Sequence, residues 1–576
     1  MQPTKRTRSS ADRLHASWPL ALGVTTLLLG CGNAGSGHAQ PTPTATSVDA
    51  NGSPAAAPGS NAAASSSGSS SSATTNGASS SMGSSGAANP SGPSGGDAAS
   101  GSSDATTGGG PNGNGAETDG GSSDAAYDGS SAPGPAVDGA AVATGWGTIH
   151  NDFFWYDQDG NLINTRSGKI RQFGTLYYWY GGAPGAADQN LYTSPDFVHW
   201  TYKGVVFHSP VEANRLDVLY NAATQTYVMF LKYDGDSAYL GIATSPTPDG
   251  TFTFQSQTLV DGYTIGDMSM FEDDDGQAYL AYVWWETGPN REHGIYRMSA
   301  DYLTLAERVY LWNIPSREAP HIFKRNGVYY YGTSRTAGIN PTATEYYTAT
   351  NLAGPWSAAT NLTTPGSATS YQTQCDFVFP VAGTQGTYFM YDGDRWLPTG
   401  ASEGDYVWLP LAFDDAGLPS MNYYQDWDFN LGTGTWRTFD LTRDLALGKT
   451  ATASSDDGTN LPASVTTATT YLTYAATRWE SEAADPQWVM VDLGAPTQVD
   501  RVILKWYLDY AKAFEIQVSV DGTTWTPVYT TTIGASYSVT DVTFAETSAR
   551  YVRMLGTQRG TANGYSLFAF MVLDDP

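Results

Sequence analysis

A short aromatic hairpin signal returns about every fifty residues in this 576-residue chain, and it limits the possible folds more than any other feature. The segments are Phe173-Gly-Thr-Leu-Tyr-Tyr-Trp-Tyr180, Thr224-Gln-Thr-Tyr-Val-Met-Phe230, Asp275-Gly-Gln-Ala-Tyr-Leu-Ala-Tyr282, Asn326-Gly-Val-Tyr-Tyr-Tyr331 and Gln385-Gly-Thr-Tyr-Phe-Met-Tyr391. Each opens with turn residues and continues as a short aromatic strand. A period near fifty has room for about four strands per unit. That is the signature of a β-propeller, and five units predict a five-bladed propeller over 141–440. A two-sheet sandwich would not repeat so regularly. Past 440, apolar alternation and Asp-Gly turns predict a separate β-sandwich over 441–576. The expected fold class is all-β throughout.

The start of the chain reads differently. Lys5, Arg6, Arg8 and Arg13 form a basic cluster, followed by a mostly apolar run from Trp18 to Leu29. The run is too short to span a bilayer, so residues 1–30 are expected to be an export signal. Its end, Leu28-Leu29-Gly30-Cys31, resembles the bacterial lipoprotein box. That resemblance implies lipidation of Cys31 and an exported protein anchored to a bacterial membrane, at the periplasmic face or cell surface. Residues 31–140 are Ser, Gly, Ala, Thr, Asn and Pro with almost no large apolar side chain. Such a segment is expected to be a disordered tether, with an r.m.s. span of roughly 50–60 Å.

Composition removes several functions. The chain has 28 Lys+Arg against 56 Asp+Glu and a formal charge of −28. No basic tract is present to meet phosphates, so nucleic acid is not an expected partner. Two cysteines cannot build a disulfide scaffold or a zinc ribbon. Seven scattered histidines include no pair at zinc-ligand spacing. With Cys31 lipidated, Cys375 is the one remaining thiol. Seventeen Trp and 36 Tyr suit a protein that stacks rings on sugars. The run Glu272-Asp-Asp-Asp-Gly276 lacks the ligand alternation of a calcium loop and is read as a hairpin turn.

Propeller inner strands converge on one channel, so carboxylates ahead of each hairpin are the natural candidates. Asp267 precedes the third hairpin, Glu318 the fourth, and Gln374 with Asp376 the fifth. Their spacing follows the blade period, which predicts that they meet at one mouth. A carboxylic acid that protonates a leaving oxygen, opposite a group that directs water, is a glycosidase arrangement. A third carboxylate can raise and orient the acid.

At these residues the chain resembles glycoside hydrolase family 43, through Glu318-Ala-Pro-His-Ile-Phe-Lys-Arg-Asn-Gly-Val-Tyr-Tyr330 and Asp267-Met-Ser-Met-Phe-Glu-Asp-Asp-Asp-Gly276. It is similar to the exo-β-1,3-galactanase branch in Tyr177-Tyr-Trp-Tyr-Gly181, Arg215, Val218-Leu-Tyr-Asn221, Gln374 and Gly393-Asp-Arg-Trp396. The resemblance implies Glu318 as general acid, Asp267 as pKa modulator and Gln374 as the residue holding the nucleophilic water. It also implies Arg215, Glu286, Asp394 and Trp396 as sugar contacts, inversion, and no metal or cofactor in the chemistry. Asp376, two residues from Gln374 and so on the same strand face, stands as the alternative base. The branch has Ala-His-Gly-Gly where this chain has Thr165-Arg-Ser-Gly168, and Glu-Arg-Pro-Lys where it has Asn214-Arg-Leu-Asp217. Hydrolysis is therefore better supported than the particular galactan. A structural calcium ion in the propeller is left open.

Beyond 441, Leu445-Ala-Leu-Gly-Lys-Thr450, Gln487-Trp-Val-Met-Val-Asp-Leu-Gly494 and Ala549-Arg-Tyr-Val-Arg-Met554 resemble the discoidin (coagulation factor 5/8 type C) domain and carbohydrate-binding module family 32. This implies a jelly-roll sandwich that holds a sugar, with Tyr474, Arg559 and Tyr565 as candidate contacts; Tyr565 reads equally as core. The acidic residues of that family's calcium site are missing here. The expected protein is a monomeric glycosidase trimming galactosyl residues from an oligo- or polysaccharide. The alternatives are an arabinofuranosidase, galactofuranosidase or xylosidase, or a surface glycan-binding protein with a degenerate hydrolase domain.

Overall fold

The computed structural model describes residues 145–182, 187–233, 238–284, 292–338, 340–363, 367–395, 405–467 and 477–574. The expected signal, the tether and Cys31 lie outside them, as do Glu286, Trp396 and Tyr474. No helix among the described residues is long and apolar enough to cross a membrane.

The fifty-residue repeat becomes a β-propeller. Its five four-stranded antiparallel sheets open with the strands Arg166–Phe173, Ala213–Asn221, Ile265–Glu272, Arg317–Arg325 and Thr373–Ala382. These inner strands pack on one another in chain order, and the fifth returns to the first. The aromatic residues that carry the repeat form the packing between sheets. Phe173 meets Tyr227 edge-on at 4.9 Å, Phe271 meets Tyr329 at 6.0 Å and Phe323 meets Phe389 at 5.6 Å. Tyr177 on Phe379, at 6.1 Å, closes the ring. Each fully buried large side chain of this kind contributes roughly 1.5–3 kcal/mol. The hairpin turns match the strand twist: Asn326 and Gly327, with φ of 51° and 74°, supply the two left-handed residues of a tight turn. The run 272–276 ends the third inner strand at Glu272 and turns over 273–276, with Lys324 Nζ 2.6 Å from both Asp273 and Asp274.

The expected count of five sheets is corrected to six. Trp146–His150, Asp426–Asn430 and Thr435–Thr438 form a further three-stranded sheet from the two ends of the propeller region. These strands are far apart in sequence and carry no periodic signal, so the repeat does not count them. Trp427 anchors the sheet: it is fully buried, and its indole N–H donates to the carbonyl of Trp408 at 2.8 Å.

The C-terminal region is a seven-stranded sheet domain. Its two longest strands, Gln487–Trp506 and Val539–Arg559, shift register at Asp492/Thr497 and Val499/Arg501. Such shifts bend strands, and here the sheet encloses a core of Trp479, Trp506, Phe514, Phe570 and buried aliphatic residues. This is consistent with the expected sandwich. The domain is docked on the propeller. Phe153 packs on Phe568, and Phe154 on Tyr537. His150 is held between Asp426 at 2.7 Å and Asp541 at 3.1 Å, while Lys505 and Arg501 pair with the same two carboxylates.

Candidate active site

All five inner strands break register near their first residues: between Arg166 and Lys169, Asn214 and Asp217, Ile265 and Met268, Glu318 and His321, and Cys375 and Phe377. A bulge adds a residue and turns a side chain out of the sheet's alternation. Three of these bulges hold non-glycine residues in the left-handed region, at Ser167 (φ 54°), Arg215 (φ 52°) and Ala319 (φ 53°). Backbone strain of this kind gathers at functional sites. The bulges bring Arg215, Asp267, Glu318, Gln374 and Asp376 to one end of the propeller.

Arg215 is the hub. Its Nη1 donates to Asp376 Oδ1 at 2.6 Å and its Nη2 to Gln374 Oε1 at 2.5 Å. Its Nε and Nη2 reach the two oxygens of Asp267 at 3.3 and 3.4 Å. Gln374 Nε2 in turn donates to Glu318 Oε1 at 3.0 Å and to Ser334 Oγ at 3.2 Å. Asp267 Oδ2 also accepts the backbone N–H of Ala319 at 2.9 Å, which ties it to the residue after Glu318. Lys232 lies 3.9 Å from Asp267. Glu318 and Gln374 retain only 9% and 8% of their surface, too little to be solvated freely.

Behind this layer is a buried acid cluster. Asp394 is 2% exposed and accepts the N–H of Ser167 at 2.8 Å. Asp392, two residues earlier on the same strand, is equally buried. Burial pushes Asp376, Asp392 and Asp394 above the usual carboxylate range, and mutual repulsion adds to it for Asp392 and Asp394. The guanidinium of Arg215 pulls Asp376 the other way. At 2.6 Å that pairing makes Asp376 the member of the cluster that ionises most readily. Lys169, buried in the first inner strand, donates to the backbone carbonyl of Asp376 at 2.5 Å. His321, three residues on from Glu318, has Nδ1 3.3 Å from the carbonyl of Ala319. Burial and the nearby Lys169 push it down to about 3, so it is a neutral packing group. Its ring lies over Gly332, where a Cβ would come within 2.0 Å of Nε2.

The structure thus gathers Glu318, Asp267, Gln374 and Asp376 as the repeat predicted. Two of the expected sugar contacts, Arg215 and Asp394, lie at this same end of the propeller. Arg215 is engaged by three side chains of the site itself. Asp394 sits behind Asp376 and supports it. The sequence reading missed Lys169, Lys232, Ser334 and His321; a lysine inside an otherwise apolar inner strand was the available signal. In the C-terminal domain Tyr565 is fully buried, with its hydroxyl on Asp485, so the core reading holds and the sugar-contact reading is corrected. Arg559 donates to Asp485 at 3.3 Å and to the carbonyls of Ala562 and Asn563. Among the described residues no group of three or more His, Cys, Asp or Glu could hold a metal ion. A separate recess of about 620 Å³ lies between the propeller and the C-terminal domain, lined by His150, Trp155, Trp200, Tyr529 and Asp541. It contains none of the inner-strand carboxylates.

Comparison with known proteins matches two regions of the chain. Residues 168–397 match the model of glycosyl hydrolases family 43, and residues 456–554 match that of the NedA-like, galactose-binding domain. A β-D-galactofuranosidase of Aspergillus niger is 30% identical over 193 residues, which is 29% of this chain and 55% of that protein. The chain thus spans about half the length of the curated relative it matches. Among solved structures, the exo-β-1,3-galactanase of Phanerochaete chrysosporium with β-1,3-galactotriose is 25% identical, covering 74% of this chain and 100% of that one, with a TM-score of 0.49. The exo-β-1,3-galactanase of Clostridium thermocellum is also 25% identical with the same coverage, at a TM-score of 0.47. The acid-bearing inner strands lie inside the first match and much of the C-terminal sheet inside the second, so the chain carries one region that matches the glycosyl hydrolases of family 43 and another that matches a galactose-binding domain.

Proposed function

We propose that the protein removes galactosyl residues from the non-reducing end of a β-1,3-galactan or arabinogalactan-type glycan, by direct displacement with inversion. The observation that carries this reading is the 3.0 Å hydrogen bond between Gln374 Nε2 and Glu318 Oε1, with Asp267 joined to both sides of the pair. Glu318 protonates the leaving oxygen. Asp267, one residue away across the Ala319 N–H, supplies the negative charge that favours a protonated Glu318. The Gln374 carbonyl has a second lone pair with which to hold a water. An amide forms no stable glycosyl-enzyme ester, which disfavours retention. Asp376 fits the base role less well, because its charge is committed to Arg215 at 2.6 Å and it is 4% exposed.

The test is product analysis on aryl galactosides and β-1,3-galactan, with the first-formed anomer read by NMR. Inverted galactose is expected. Glu318→Gln should slow substrates with poor leaving groups far more than activated ones, because only the former need the proton. Retained configuration, or unchanged hydrolysis by Glu318→Gln, would overturn the assignment. The galactofuranosidase relative favours one second reading, so the panel includes an aryl galactofuranoside. The name of the matched C-terminal model supports a sugar-holding role for that domain, which a pull-down on galactan would register. Lipidation of Cys31 is part of the same proposal; Cys31→Ser should move the protein from the membrane pellet to the soluble fraction.

A further inference from the structure

The chain between the second and third four-stranded sheets crosses the catalytic end of the propeller. It does so through a two-residue turn. Val260 and Tyr263 exchange both backbone hydrogen bonds, at 3.0 and 3.1 Å. Asp261 and Gly262 between them have φ of 53° and 86°. Consecutive left-handed residues mark the tightest and stiffest hairpin connection. The turn is also held from the side: the Asp261 carboxylate accepts from the Tyr296 hydroxyl and from Arg308, each at 2.7 Å. From this clamp Tyr263 projects with 45% of its surface exposed. Its ring leans on Trp284, centroids 4.9 Å apart and tilted 45°. Trp284 is 4% exposed, and its indole N–H donates to the carbonyl of Val260 at 3.1 Å. The exposed ring is thus supported by a buried one, which is fastened to the same turn.

An aromatic ring held rigidly toward water forgoes the burial that would stabilise it in a core. Rigidity of this kind lowers the ordering cost of a binding partner. Tyr263 lies two residues before the inner strand Ile265–Glu272 and four before Asp267. Four extended residues span roughly 13 Å. We infer that Tyr263 is a stacking platform for a pyranose unit on the leaving-group side of the scissile bond, no more than roughly 13 Å along the chain from Asp267. This rests on the hydrolase reading above. An apolar ring face pairs with the C–H face of a pyranose, while the tyrosine hydroxyl stays in water. The platform contributes to holding chains longer than a disaccharide and takes no part in proton transfer.

The experiment compares β-1,3-galactobiose with β-1,3-galactotetraose on wild type, Tyr263→Ala and Tyr263→Phe. Wild type is expected to prefer the tetraose. Tyr263→Ala should lose roughly three- to tenfold in kcat/KM on the tetraose, through KM, and keep its rate on the biose. Tyr263→Phe, which keeps the ring, should restore the tetraose rate. Thermal melting checks that both variants fold. An active wild type whose Tyr263→Ala variant loses equally on both lengths, or on neither, overturns the platform alone. A wild type inert on every length overturns the hydrolase reading and the platform with it.

Discussion

Arg215 joins three of the four acid or amide groups of the site, and Arg215→Lys is the substitution that most directly probes the arrangement. The guanidinium makes contacts at 2.6 Å to Asp376, 2.5 Å to Gln374 and 3.3–3.4 Å to Asp267. A lysine ammonium is a single point with no fork and cannot reproduce contacts to three partners in fixed directions. At least one of the two short bonds is lost, and each hydrogen bond to a charged group contributes about 1.5–3 kcal/mol. If the Gln374 bond goes, the amide loses one of its anchors and the water-holding geometry proposed for it is disturbed. Misplacement of about 1 Å costs about a hundredfold in rate, equivalent to about 2.7 kcal/mol of transition-state stabilisation. The assay is kcat on an aryl galactoside, with near-ultraviolet circular dichroism to show an intact fold. A companion variant, Arg215→Met, isolates the electrostatic part. It leaves Asp376 buried without its hydrogen-bonded cation, with only Lys169 and Arg166 nearby, and breaking a buried pair costs about 3–5 kcal/mol. The carboxyl avoids part of that cost by staying protonated, because its already raised pKa rises further. A raised carboxyl pKa penalises the folded state once the pH exceeds the unfolded value, and the penalty grows until the folded value is passed. The melting temperature of Arg215→Met should therefore fall further below wild type as pH rises from 5 to 8. A kcat for Arg215→Lys within threefold of wild type would refute the hub, as would a pH-independent deficit in Arg215→Met.

Three further outcomes follow from other parts of the molecule. At the domain junction, burial alone would lower His150, but Asp426 and Asp541 outweigh it and raise it above 6.5; Lys505 and His150 likewise hold Asp426 down at about 2 despite burial. The His150 contribution is complete below 6.5 and lost as pH rises through the raised value, and that of Asp426 is complete above 3.8 and lost as pH falls through about 2. Calorimetry should show the gap between wild type and His150→Phe narrowing toward pH 9, and a widening gap would contradict the pairing. Gly332→Ala would place a Cβ 2.0 Å from His321 Nε2, an overpacking expected to cost about 1–3 kcal/mol in denaturant titration. Burial pushes the Cys375 thiol well above its ordinary value, so it should resist an aqueous thiol reagent in the native state and react after unfolding.

Much of the site was legible because a propeller repeats its geometry along the chain. Glu318, Asp267 and Gln374 occupy corresponding points of successive units, and the period alone places them at one end. The sixth sheet was not legible, since Trp146–His150 meets Asp426–Asn430 only after the whole propeller has closed. The bulges at Ser167, Arg215 and Ala319 were also hidden, because strand alternation assumes a regular pleat.

The amino-acid sequence by itself determined the repeating units, the break near 440 and the candidate residues for acid-assisted hydrolysis. These are local properties: turn chemistry, alternation and spacing are written into consecutive residues. Only the tertiary structure decided what each of those residues touches. Arg215 is committed to Asp376 and Gln374, Asp394 stands behind them, and Tyr565 belongs to a core. Each of those outcomes depends on groups brought together from distant parts of the chain, and on how far burial separates them from water.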